Sequence, residues 1–202
     1  MAARPKAIRV PRRVPPEIKS PVRSLALATG ELLWASSQAH TAFCNVFALL
    51  VAKDNLNVGF AIWHTVQADS TQRQMLAALV DARLPTPSRM NKSLLWAKEK
   101  ADKLATLRND AAHLASAFRT DSDPYKLVPN PFGNPPTRTE RLKNISDLVA
   151  HFRTVKGDLV QLSGYINALF FKLVQPSGPY PWPRRPSLKS LPKAAKRQPK
   201  RR

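Results

Sequence analysis

The stretch ISDLVAHFRTVKGDLVQLSGYINALFFKL, residues 145–173, decides the fold. Its apolar residues Ile145, Leu148, Val149, Phe152, Val155, Leu159, Leu162, Ile166, Leu169, Phe170 and Leu173 recur every three or four positions and trace one stripe along about eight helical turns. A stripe that long must be covered by a neighbouring helix for most of its length. Nowhere does the chain alternate apolar and polar residues with the period of two that a half-buried strand needs. The pattern predicts an all-α protein.

Upstream of this stretch, the segment 120–138 carries Asp123-Pro124 and Asn130-Pro131-Phe132-Gly133-Asn134-Pro135-Pro136, which predict a long loop without regular structure. Before it, Leu94, Ala97, Leu104, Leu107, Ala111, Leu114 and Phe118 predict a helix from about Ser88 to Arg119, set off by Pro85 and Pro87. A further helix is expected from about Asn57, a candidate cap, towards Pro85. It carries Phe60, Ile62, Trp63, Met75, Leu76, Leu79 and Val80, and Asp69-Ser70-Thr71 is a point where it could kink or break. Leu32, Ser36, Phe43, Phe47 and Leu50 predict the first helix, from about Ser24 to Lys53. Together these make a single antiparallel bundle of about four long helices over residues 24–174, one domain for 202 residues of 43% hydrophobic content. Trp34, Trp63 and Trp96 read as core or interface aromatics. His40 and His64 read as hydrogen-bonded, partly buried imidazoles.

The ends differ in kind. Residues 1–23 hold seven Lys/Arg against Glu17 alone, interrupted by Pro5, Pro11, Pro15 and Pro16; residues 175–202 hold nine Lys/Arg and no acid. The two ends therefore carry +15 of the net +20. Segments this polar and proline-rich predict disordered basic arms, 1–23 and 175–202. Cationic arms are lowered in energy beside a polyanion by counterion release, which makes Arg12, Arg13, Arg184, Arg185, Lys196, Arg197, Lys200, Arg201 and Arg202 candidate nucleic-acid contacts. The plainer alternative is that they keep the chain soluble. The run Pro179-Tyr180-Pro181-Trp182-Pro183-Arg184-Arg185-Pro186 is either an extended segment lying along the body or a partner groove, or a flexible linker.

No apolar stretch approaches the length of a membrane span, so no membrane insertion is expected. A lone cysteine, Cys44, cannot form an internal disulfide and suits a reducing, cytoplasmic setting. His40, His64, His113 and His151 are scattered, without Cys or His at ligand spacing, so neither a metal nor another cofactor is expected.

One short segment suggests chemistry: Arg108-Asn109-Asp110-Ala111-Ala112-His113. On a continuous helix His113 lies roughly 150° from the centre of the apolar stripe, with Asn109 one turn before it on the same side. Arg108 emerges at the flank, and Ala105, Ala112 and Ser116 keep the surface low. A low polar strip suits close approach by the same helix of a second copy about a two-fold axis. Two imidazoles and two guanidinium groups in one cleft can transfer protons and hold a phosphate without a metal.

Arg108-Asn109-x-x-x-His113 in a helical bundle resembles the HEPN superfamily, whose signature is an Arg, a following polar residue, and a His separated from the Arg by four to six residues. The resemblance implies a small helical homodimer and, in active members, a metal-independent ribonuclease with the paired motif at the dimer interface. Arg108 would bind phosphate, Asn109 would position the site and His113 would act as acid or base. Glu31, Asp54 and Asp69 are the candidate supporting acids. Two other readings stand beside this one: a non-catalytic nucleic-acid-binding or scaffold protein working through its arms, and a partner-dependent module of the toxin and antitoxin kind whose exposed helix face docks another protein.

Overall fold

The computed structural model describes residues 16–114, 116–119, 126–130, 133–179 and 181–192. It is predominantly helical. In chain order the elements are α1 Pro16–Val51, α2 Leu56–Thr65, α3 Asp69–Arg83, α4 Arg89–Ala112, β1 Ser116–Arg119, β2 Lys126–Pro129, α5 Pro136–Leu142 and α6 Leu148–Val174.

The stripe of α6 faces inward. Phe152, Val155, Leu159, Leu162, Ile166 and Leu169 are buried, and Phe170 and Leu173 pack half-buried at its margin. Asp147 caps this helix by accepting the Ala150 amide at 2.9 Å, and α6 so starts at Leu148, three residues after the expected Ile145. α1 is its main neighbour. Ala28, Leu32, Ala35, Ala39, Phe43, Val46 and Phe47 line the buried side of α1, and the alanines among them let the two helices approach closely. α4 contributes Leu94, Ala97, Ala101, Leu104 and Ala111 to the same core, α3 contributes Leu76 and Val80, and α2 contributes Trp63. Each large apolar side chain so buried adds roughly 1.5–3 kcal/mol. Trp96 is half-buried, edge-on to Tyr165 at 5.4 Å, whereas Trp34, read as a core or interface aromatic, is 63% exposed and so lies outside the core. Among the described residues no helix is long and apolar enough to cross a membrane.

Several boundaries depart from the expectation. α1 begins at Pro16, inside the segment read as an arm. Proline suits a first helical position because the amide it lacks has no intrahelical partner there. The second long helix is two, α2 and α3. Gln72 bridges the break, its amide donating to the carbonyls of Trp63 at 2.9 Å and Val66 at 2.8 Å, and so satisfies the end of α2. α4 stops at Ala112 instead of Arg119, and the chain turns into β1. β1 pairs antiparallel with β2 in the register Ser116↔Pro129 and Phe118↔Leu127, and α5 starts at Pro136. The segment 120–138, expected to lack regular structure, thus supplies a strand and the start of a helix.

The largest departure is at the C-terminal end. Residues 181–192, within the expected disordered tail, lie in an extended course against the body as a strap. Trp182, Leu188 and Leu191 pack on the core, and Asp158 of α6, 1% exposed, accepts the amides of Lys189 at 2.9 Å and Ser190 at 2.7 Å and the Ser190 hydroxyl at 2.5 Å. Arg184 and Arg185 are therefore part of the body surface. Arg12, Arg13, Lys196, Arg197, Lys200, Arg201 and Arg202 lie outside the described residues.

Candidate functional site

Arg108 turns into the body. Its guanidinium meets Asp69 at the start of α3, Nη2 to Oδ2 2.5 Å, and lines a small recess between α1, α3 and α4 with His40, Arg73 and Ser36. The recess has about 20 Å³ of free volume, room for about one water. Nε of Arg108 is buried and has no hydrogen-bond partner among the described residues. On the far side, His40 presents Nδ1 to Asp69 Oδ1 at 4.0 Å, and its Nε2 accepts the indole N–H of fully buried Trp63 at 3.1 Å. One turn further along α3, Arg73 donates to Asp102 of α4 at 2.7 Å. α3 is thus joined to α4 by two ion pairs and to α1 by the contact of His40 with Asp69, an acid named by its charge beside Glu31 and Asp54.

This cluster holds shape better than it transfers protons. The His40 ring nitrogen that would act as a base is occupied by an indole donor, and the Arg108 guanidinium is neutralised within its own subunit. Burial lowers the pKa of His40 below the ordinary 6.5, with Asp69 opposing and Arg73 reinforcing the shift. The same cause lowers that of His151, where Asp110 opposes it. A group with a depressed folded pKa binds fewer protons folded than unfolded as pH falls below about 6.5, so its contribution to stability is complete above that value and declines below it. We expect the melting temperature to fall on acidification from about pH 7.5 to pH 5. The slope should be shallower in His40→Gln, which keeps an acceptor for Trp63. Equal slopes would show that His40 does not set the response.

The rest of the motif is distributed differently. Asn109 and Ala112 are exposed, and His113, exposed, is the C-cap residue of α4, its amide bonded to the Asn109 carbonyl at 3.1 Å. Asp110 is the buried member, at 1% exposure. Arg141 reaches it with two bonds, 2.9 and 2.6 Å, and Arg138 with one of 3.4 Å while also donating to the His113 carbonyl at 2.8 Å. That hydrogen bonding raises the pKa of Arg141. α5 is thereby clamped to the end of α4. Within one subunit Arg108 lines the recess beside Asp69 and His113 does not, so the structure does not bring the two into one cleft. Asp110 was overlooked in sequence because an acid between Arg and His reads as one more exposed polar residue; its partners come from a segment read as loop.

No group of three or more His, Cys, Asp or Glu among the described residues could hold a metal ion. Comparison with known proteins finds no matching family model, no similar curated protein and no similar solved structure.

Proposed function

We propose that the protein binds RNA on a cationic face, with the Arg108–His113 segment serving mainly to hold the subunit together. The observation that supports this is how the charge is divided. The arginines around the motif are engaged internally, Arg108 by Asp69 and both Arg138 and Arg141 by Asp110. Arg89, Lys92, Arg184 and Arg185, by contrast, are exposed and have no carboxylate partner among the described residues. Unpaired cations are what a phosphate backbone requires, and their neutralisation releases counterions. The choice of RNA over DNA rests on the resemblance of Arg108-Asn109-x-x-x-His113 to the HEPN motif.

A second reading is favoured by the exposure of Asn109, Ala112 and His113 at the end of α4. A second copy meeting this face about a two-fold axis would form the cleft of a ribonuclease, provided Arg108 left Asp69 to meet the phosphate. One experiment separates the two. Full-length protein is titrated into a labelled single-stranded RNA over a range of salt and, in parallel, incubated with the same RNA in a chelator. The binding reading expects intact RNA and a log-log salt slope of about −3 or steeper, from roughly 0.7 for each of four or more phosphates. Fragments with cyclic phosphate ends, lost in His113→Ala, would establish cleavage instead. Binding indifferent to salt, or none, would overturn both.

A further inference from the structure

The strap builds a surface of its own. Trp182, Pro183 and Arg184 line two recesses. The first, of about 660 Å³, is largely apolar, walled by Phe171 of α6 together with Pro181 and Trp182. Phe171 is 61% exposed, an unusual placement for a large aromatic unless something covers it. The second, of about 420 Å³, is cationic, bordered by Arg89, Lys92, Arg184 and Arg185. Among the described residues no carboxylate lines either recess.

Two of these cations are fixed in place. The guanidinium of Arg89 lies 4.5 Å above the Trp182 ring, and that of Arg185 lies 5.2 Å from the Trp96 ring while donating to the Lys92 carbonyl at 3.3 Å. A guanidinium held on an aromatic face keeps free N–H edges and loses little further freedom when a phosphate arrives. α4 begins at Arg89, so the positive end of that helix borders the same recess. A further observation points to a ligand. Tyr165 borders the cationic recess, is only 5% exposed, and its buried hydroxyl has no hydrogen-bond partner among the described residues. A buried hydroxyl without a partner is costly unless a ligand or water satisfies it.

We propose that the two recesses form one binding site for single-stranded RNA, with phosphates on Arg89, Lys92, Arg184 and Arg185 and one unstacked base against Phe171 and Trp182. This rests on the RNA-binding reading and gives it a location. Single strands are specified because the apolar recess needs a base whose face is free, and in a duplex both faces are stacked. Cations beside aromatic platforms are the arrangement by which single strands are held without regard to sequence.

The test uses fluorescence anisotropy of the full-length chain with a labelled 20-nucleotide RNA, single-stranded or annealed to its complement. Arg89→Glu with Arg184→Glu is expected to weaken single-strand binding at least about tenfold, and Phe171→Ala about fivefold or more. All three side chains are exposed, and a Glu at position 89 favours the start of α4, so folding should survive; melting curves check it. Lys53→Glu with Arg83→Glu makes the same change in net charge at exposed positions lining neither recess, and is expected to cost less than about threefold. Equal losses in the two charge-reversed pairs, an unaffected Phe171→Ala, or duplex bound as tightly as single strand would overturn the site while leaving RNA binding standing. If the wild-type chain binds no RNA, the reading and the site fall together.

Discussion

Gly59→Ala is expected to destabilise the protein by about 3 kcal/mol or more, at or above the upper end of the usual cost of overpacking. A Cβ at position 59 would lie 2.3 Å from the Cα of Ala48, 2.8 Å from its Cβ and 2.9 Å from its carbonyl oxygen. Two of those three atoms are main chain, so no rotamer change relieves the clash. α2 would have to lift away from α1, and Trp63, which α2 alone inserts into the core, would move with it. For a chain of this size the loss corresponds to a fall in melting temperature of roughly 10 °C. The contrast lies in the other helical glycines. At Gly30, Gly157 and Gly164 a methyl group would meet nothing within 4 Å, so alanine there is expected to stabilise by about 0.5–1 kcal/mol each through helix propensity. Thermal melting of the four single variants checks this. A Gly59→Ala protein as stable as Gly164→Ala would mean that α1 and α2 are not in such close contact.

What was legible in the sequence was what depends on local periodicity. The α6 stripe from Phe152 to Leu169 faces the core, and on α4 the residues Leu94, Ala97 and Leu104 do the same. Pro85 and Pro87 do separate α3 from α4, and the helix expected from about Asn57 does break next to Asp69-Ser70-Thr71. His40 is the hydrogen-bonded, partly buried imidazole expected of it. What could not be read depends on residues far apart in the chain. Arg108 sits on a helical flank whether or not Asp69, 39 positions earlier, stands opposite, and only the placement of α3 decides that it does. The end of α4 was misplaced because Leu114 and Phe118 continue its period, although the chain uses them beyond the helix, Phe118 as part of β1. In the same way, a proline-rich run of basic residues without an acid has the composition of a linker, and its docking on the body depends on a carboxylate more than 30 positions earlier.

That carboxylate is the place where stability and function should be most tightly linked. Asp158→Ala is expected to cost about 3 kcal/mol, because the two amides and the hydroxyl that Asp158 accepts lose their partner and the strap loses its anchor to α6. Trp182, Leu188 and Leu191 would then leave the core surface, and the chain between 175 and 192 should become open to limited proteolysis at protease levels that leave the wild type intact. Asp158→Asn, which keeps one acceptor oxygen, should lose less. The consequence for binding discriminates between two accounts of the charge. Removing an acid makes a +20 protein more positive, so if RNA were held by net charge alone, Asp158→Ala would bind slightly more tightly. If the strap builds the site, the same substitution disperses Trp182, Arg184 and Arg185 and frees Arg89 from its stacking partner, and affinity should fall about tenfold or more despite the added charge. Measured under one salt condition with the wild type alongside, the two accounts predict changes of opposite sign, and an increase in affinity on loss of this carboxylate would remove the strap from RNA recognition.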